Sequence, residues 1–570
     1  MRYWMALVYL RNTLAVNHPQ NLSLESITDA LACSKRNAQL VIKKLSEQNI
    51  IDWQPSVGRG NLPIITLLKD VRQTIDAEAT HLLQKGKIEL AMKLVEKGKQ
   101  EQFLANYLAV PTAKPLSKHI LRVPFYRGTH CLDPISIARR TEQHIANHLY
   151  AKLIRFDSET AMYTGDLALN WSESSGGVHV TLRKGITFHD GSRISSADIK
   201  VHYERLMNSK NHNAKLYSCI SKIEVKDEYR ISFYSSFSSS FIKKLLSFDP
   251  MGITKYENEK LLGSGPFYLA EQTEWRTYLK VYESYHGWRP WVDGVEIWNI
   301  GDKAKDFLLN SDVVHGREVT ANMDKMFHQR QQWEKGSVYL LLNQKHNSWL
   351  AVRENSKAIM TLISSLGLPA MLDNSGICQA NGMLKRECSD VDAYRHSEVK
   401  NLIPPLNTTL KIVTYQLSDN ICFAEHVQSG LQQHGINSEL EVVEFPVFNR
   451  PETIANADIV ISGEVFNEDL EMAWMEWLFA NNSLENCMTN RHRNLIWQQT
   501  KNVLNLATLK EKLCAFEELE QSLIEQYVYQ PIFHIKQNLS FAESISSSQM
   551  LANGWIDFNT VTIRSSSTLP

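Results

Sequence analysis

The chain has no run approaching the ~20 consecutive apolar residues that a membrane-spanning helix requires. No Cys-x-x-Cys pair occurs among its eight cysteines, which lie far apart between Cys33 and Cys514. A chain of 570 residues can be stable without bridges, so free thiols in a reducing compartment are expected. Also missing are a Gly-x-Ser-x-Gly elbow and a His-Glu-x-x-His helix. His179, His189 and Asp190 are separated by a strand and charged residues, and Cys487 with His492 lacks the two further ligands of a structural zinc site. No catalytic residue, metal or cofactor is therefore assigned. Net charge is nearly absent, with 61 Lys and Arg against 62 Asp and Glu.

What is present is the composition of a folded protein, 43% hydrophobic and 22% charged, long enough for about three or four units. The charge is unevenly placed. Residues 1–69 carry 8 basic and 4 acidic side chains, a net +4, residues 70–119 a net +2, and the remainder a net -7. A small basic head on a large acidic body implies different partners for the two. Arg11 and Asn12 interrupt the apolar start MRYWMALVYLRNTLAV. It reads as an amphipathic first helix with Trp4, Leu7, Val8 and Leu14 toward a core, not as a secretory signal, and a cytoplasmic location is expected.

Residues 22–68 are the most informative stretch. Ser23 can cap a short helix with Ile27, Ala30 and Leu31 inward. After a tight passage at Ala32 and Cys33, Ser34 caps a second helix whose Ala38, Val41, Ile42 and Leu45 share one side. IIDWQ and NLPIITLL then read as two strands around the turn-rich PSVGRG. Three helices and a hairpin make a winged helix-turn-helix over residues 1–69. Its second capped helix fits the roughly 12 Å major groove of DNA. Arg36, Asn37 and Gln39 are assigned to base edges. Ser34, Lys35, Lys43 and Lys44 are placed at phosphates, and Arg59, between two glycines, at the backbone or minor groove. Promoter DNA is thus the expected partner of the head.

Residues 70–119 read as two or three solvent-facing connector helices ended by Pro111 and Pro115. The alternative, a second nucleic-acid surface through Lys85, Lys87, Lys93, Lys97 and Lys99, is weakened by the interleaved glutamates. From His119 strands and helices alternate. HILRVPFY is a strand, TEQHIANHLYAKLIRFD a helix, and TLRKGITFHDG a strand ending in a turn; LKIVTY, SELEVVEF and ADIVISG are later strands. The pattern predicts an α/β body of two lobes with a cleft between them. The expected bounds are 120–304 for lobe 1, 305–534 for lobe 2 and 535–570 for a return to lobe 1. GSGPFYL at 263–269 lacks a following Lys-Ser/Thr pair and reads as a crossing between lobes, not a phosphate cradle.

The stretches LRVPFYRGTHCLDP (121–134), TEQHIANHLYAKLIRFD (141–157), GDLALNWSES (165–174), VHVTLRKGITFHDGSRISSADIK (178–200) and GSGPFYL (263–269) occur in order. They resemble the family 5 extracellular solute-binding proteins, the peptide- and nickel-binding components of ABC transporters. With the winged head, the whole chain is similar to the SgrR-type transcriptional regulators of sugar-phosphate stress. The resemblance implies a type II periplasmic-binding-protein-like body kept in the cytoplasm. It also implies activation of a small regulatory RNA and transport genes, autorepression, a sugar-phosphate effector and contact with RNA polymerase. A peptide-sensing regulator and an exported transport component are the alternatives. By the same resemblance, Tyr126, Arg127, Glu464, Phe466 and Asn467 border the cleft. Trp474 and Trp477 would offer stacking faces if their helix lines it, or core packing if it does not.

Overall fold

The computed structural model describes residues 1–56, 61–109, 119–301, 313–315, 327–385 and 409–563, apart from 138, 211, 236, 249–251, 373–375, 543 and 547–549. Arg59, Pro111, Pro115 and the expected lobe boundary at 304/305 lie outside the described residues.

The head consists of α1 (Arg2–Thr13), β1 (Gln20–Asn21), α2 (Leu24–Ala30), α3 (Lys35–Glu47), β2 (Ile51–Gln54) and β3 (Ile64–Leu67). Its antiparallel sheet has the order β1-β3-β2, with Trp53 opposite Ile65. Local chemistry starts both helices of the motif: Ser23 Oγ accepts from Ser26 N at 3.0 Å, and Ser34 Oγ accepts from Asn37 N at 3.4 Å. Leu7 and Leu10 of α1 pack with Ile27, Ala38, Ile42, Leu45 and Ile65.

The connector contains α4 (Arg72–Gln84), α5 (Ile88–Met92) and α6 (Gln100–Ala109). Expected to face solvent, it is instead part of the head's core. Ile75, Ala79, Leu83, Met92 and Leu104 are buried in the same cluster as Leu7 and Ile42. The physical reason is the apolar stripe on each helix, which is stabilised only by burial against a neighbour. That cluster continues into the body through Trp298 and Ile300.

In lobe 1, β4 (Ile120–Phe125) runs parallel to the strand Gly294–Asn299, with Val123 opposite Ile297. The antiparallel strands Arg276–Val281 and Phe267–Gln272 complete that sheet. The helix α7 (Arg140–Leu149) crosses beside it. The helix expected over 141–157 breaks at Tyr150, where the backbone turns extended, and Ile154–Asp157 is a strand paired with Met162–Gly165. The strand expected over 181–191 likewise stops early, at Leu182. A second antiparallel sheet orders Ala168–Ser174, Gly177–Leu182, Arg230–Ser235 and Ile220–Val225.

GSGPFYL does not cross between lobes. A Cβ on Gly263 would fall 2.3 Å from the Leu149 carbonyl oxygen and one on Gly265 2.5 Å from that of His148, so these glycines let the chain press against the end of α7 within lobe 1.

Lobe 2 is a mixed sheet with Gly336–Leu342 between Tyr529–Ala542 and Ile459–Val465, followed by Leu410–Tyr415 and Ser438–Val443. Strand Tyr529–Ala542 links the lobes: Phe533 and Ile535 belong to the lobe 2 core, and Leu539 and Phe541 to the lobe 1 core. Trp555, Ile556 and Phe558 pack against Ile145 and Leu149 in lobe 1.

Candidate DNA interface and ligand cleft

Ala38, Ile42 and Leu45 bury one side of α3, which leaves Ser34, Lys35, Arg36, Gln39, Lys43 and Lys44 exposed and Asn37 half-buried. Lys35 Nζ lies 2.7 Å from Glu25 Oε1, and Lys44 Nζ lies 4.9 Å from the Tyr3 ring centre. Both contacts are at the surface, where exchange for a phosphate costs little. Between α3 and the β2–β3 hairpin is a groove of about 780 Å³ lined by Lys35, Gln39, Lys43, Ser46, Trp53 and Ser56. Sequence reasoning missed Leu40, 58% exposed on the same helix. Its signal was its position four residues beyond Arg36, on the outward face.

The lobe 1 residues expected to border the cleft follow directly on β4. Tyr126 is exposed, and the Arg127 guanidinium lies 4.9 Å from its ring centre. In lobe 2, Glu464 near the end of Ile459–Val465 accepts from Asn481 Nδ2 at 2.8 Å. Burial pushes the Glu464 carboxyl up, opposed by the Asn481 hydrogen bond and by the charge of Arg140. Asn467 is half-buried beyond that strand.

Phe466, Trp474 and Trp477 do not line the cleft. Trp474 and Trp477 are fully buried and Phe466 nearly so. Trp474 meets Phe466 edge-on at 5.0 Å and stacks at 6.0 Å on Phe516, while Trp477 packs at 4.9 Å against Tyr529. Their helix, Leu470–Ala480, is apolar on nearly every side and buried accordingly, so a tryptophan pair three residues apart serves the core.

Two arginines that the sequence reading did not single out stand at the start of α7, Arg139 as its N-cap and Arg140 as its first residue. Arg140 Nη1 lies 3.0 Å from Glu334 Oε1 at the strand junction between lobes. Its neighbour Arg139 is 7% exposed, with the Phe445 ring of lobe 2 at 5.9 Å. The paired arginines ahead of TEQHIANHL were the available signal, but nothing local distinguishes one from the other.

The described residues contain no group of three or more His, Cys, Asp or Glu placed to hold a metal, and no helix among them is long and apolar enough to cross a membrane.

Residues 3–114 match the family described as sugar transport-related sRNA regulator, N-terminal, and residues 163–359 match the middle region of the bacterial extracellular solute-binding proteins, family 5. In order and extent these two matches are those of an SgrR-type regulator, to which the chain is similar over nearly its whole length. It is 24% identical to the HTH-type transcriptional regulator SgrR of Photorhabdus laumondii over 557 residues, covering 94% of both chains. To the SgrR of Salmonella choleraesuis it is 23% identical, over 95% of this chain and 94% of that one. The uncharacterized protein YhjP of Bacillus subtilis is also 23% identical, with 95% of each covered. Among solved structures, the Bacillus subtilis oligopeptide-binding protein AppA, in complex with a nonapeptide, superposes with a TM-score of 0.66 at 16% identity. The match covers 78% of this chain and 99% of AppA. AgaA of A. tumefaciens, in complex with agropinic acid, gives 0.65 at 16% identity with the same coverage. An SgrR-type chain is thus a DNA-binding regulator carrying a solute-binding domain.

Proposed function

We propose that this protein is a cytoplasmic one-component regulator that binds promoter DNA through α3 and changes its grip when a phosphorylated sugar occupies the cleft. In this reading Arg36, Asn37 and Gln39 meet base edges. Ser34, Lys35, Lys43, Lys44 and Arg59 meet the sugar-phosphate backbone, and Leu40 offers an apolar contact to a thymine methyl. Tyr126 and Arg127 meet the effector from lobe 1, and Glu464 and Asn467 from lobe 2, with Glu464 toward sugar hydroxyls. The output is transcription of a small regulatory RNA and transport genes by recruited RNA polymerase, with repression of its own promoter.

The observation that carries the reading is continuity between the head and the cleft wall. Trp298 and Ile300, at the end of the strand paired with β4, share a hydrophobic cluster with α1, α3 and α6, while β4 itself leads directly into Tyr126 and Arg127. A cleft ligand that favours one lobe arrangement therefore has a packed route to the recognition helix. A peptide effector is the second reading, favoured by the fold shared with AppA, which holds a nonapeptide.

The test is promoter-fragment anisotropy with the full chain, titrated separately with glucose 6-phosphate, glucose and a pentapeptide. A change in promoter affinity with glucose 6-phosphate alone supports the proposal. A change with the pentapeptide alone moves it to the second reading, and no change with any of the three overturns direct sensing. Rising salt should weaken binding, with a slope of log affinity against log salt that falls by about 1 for each phosphate-contacting lysine removed.

A further inference from the structure

Arg139 and Arg140 are adjacent in sequence and opposite in circumstance. Arg140 is matched by Glu334 at 3.0 Å. Arg139 is more deeply buried, yet its Nε and Nη1 make no hydrogen bond among the described residues. Its near carboxylate, Glu142, stands 3.8 Å from Nη1, beyond hydrogen-bonding range, and the facing oxygen already accepts from His130 N at 3.0 Å. The Nε of Arg127 is also buried without a hydrogen bond. The two cations are near enough to oppose each other. Burial and then the Arg127 charge pull the Arg139 pKa down, and burial followed by the Arg139 charge does the same to His130.

Glu142 offsets part of the Arg139 charge, but buried guanidinium donors without hydrogen bonds remain costly, because those N–H groups have lost water and gained no acceptor. Such an arrangement persists where a ligand completes it. The location fits that role. Arg139 is the N-cap residue of α7, so the helix's positive end adds to the same potential. The Phe445 ring of lobe 2 lies 5.9 Å from the guanidinium, which places Arg139 where the two lobes meet.

We propose that Arg127 and Arg139 together form the seat for an oxyanion of the effector, a phosphate or a carboxylate, held by charge-assisted hydrogen bonds from the three unmatched donors. The inference rests on the reading of the cleft as the effector site, and it makes Arg139 the residue that selects an anionic solute over its neutral parent. Arg140 and Glu334 hold the strand junction beside it. The ligand's oxyanion relieves the repulsion between the two arginines and brings Phe445 and the rest of lobe 2 onto the bound solute.

The test uses the full chain without DNA and three ligands that differ at one carbon: glucose 6-phosphate, glucuronate and glucose. Calorimetric titration should show binding of at least one of the two anions and at least tenfold weaker binding of glucose. Arg139→Gln should weaken that anion by about 10- to 100-fold, the range for charge-assisted hydrogen bonds. The anion that binds identifies the source as phosphate or carboxylate. Equal binding of glucose and the anions, no binding of either anion, or undiminished binding by Arg139→Gln would each overturn the seat.

A second variant separates this role from a structural one. Arg139→Gln also leaves the buried Glu142 carboxylate without its ion partner, so its unfolding temperature should fall; Glu142→Gln breaks the same pair but keeps the Arg139 donors and should retain anion binding, and loss of binding in Glu142→Gln as well would mean that the pair acts through the fold and would overturn the proposal. Promoter affinity is read separately. Arg139-dependent anion binding that leaves promoter affinity unchanged would defeat the regulatory reading while the seat stands.

Discussion

Lys512 Nζ donates to Glu471 Oε1 at 3.0 Å in the interior where the two lobes meet. Lys244, from lobe 1, reaches the other oxygen of the same carboxylate. The Glu471 side chain is 2% exposed and the two lysines 12% and 11%. One buried carboxylate thus neutralises cations from both lobes. Glu471→Ala should destabilise the chain by about 3–5 kcal/mol, because it strands two buried ammonium groups. A urea titration checks this; an unchanged midpoint would mean that water reaches both lysines.

The turn between α2 and α3 places Ala32 at φ 43°, with Ala32 N donating to Asp29 O and Cys33 N to Thr28 O, both at 3.1 Å. A Cβ is disfavoured in that left-handed region, and Ala32 is exposed. Ala32→Gly should stabilise the head by up to about 1 kcal/mol, the relief of strain being partly offset by the freer unfolded chain. Slower amide exchange along α2 and α3 would report it.

Glu464 gives a pH dependence of definite sign. Burial raises its carboxyl above the ordinary 4.5, so the folded chain holds this proton more tightly than the unfolded chain. Above pH 4.5 the unfolded state binds fewer protons, and the contribution of this group to stability falls as pH rises toward and through the folded value. Glu464→Gln keeps an oxygen for Asn481 and removes the charge. Its unfolding temperature should exceed the parent's at pH 7, and the difference should shrink toward pH 4. A constant difference across that range would assign the effect to packing.

Trp298 tests the route from cleft to head. It is 4% exposed in the cluster shared with α6, and its Nε1 donates to Glu296 Oε2 at 3.1 Å. Trp298→Leu should leave effector affinity and basal promoter affinity close to those of the parent. It should also remove most of the effector-induced change in promoter affinity, a coupling expected at about 5- to 150-fold in the parent. Full coupling retained in Trp298→Leu would move the route elsewhere.

The head was legible because its rules are local. Ser23 and Ser34 announce helix starts, the spacing of Ala38, Ile42 and Leu45 marks a buried stripe, and a basic face remains once that stripe is assigned. The strands Ile120–Phe125, Leu410–Tyr415 and Ile459–Val465 were legible for a similar reason, being short apolar runs between turn signals. The helix over 141–157 was misread because its apolar pattern continues past Leu149. What stops it is the hairpin that pairs Ile154–Asp157 with Met162–Gly165, and the close packing of Gly263 and Gly265, which are remote in sequence.

By itself the sequence determined the class of each part: a basic winged head, an acidic α/β body, and their order. Periodicity, capping and charge balance are properties of neighbours along the chain. Only the tertiary structure decided that the connector belongs to the head's core, that Phe466, Trp474 and Trp477 are interior, and that Arg139 keeps donors without hydrogen bonds while Arg140 bonds to Glu334. Burial and hydrogen-bond satisfaction depend on which distant segments arrive at a side chain, and adjacent arginines carry no local mark of that difference.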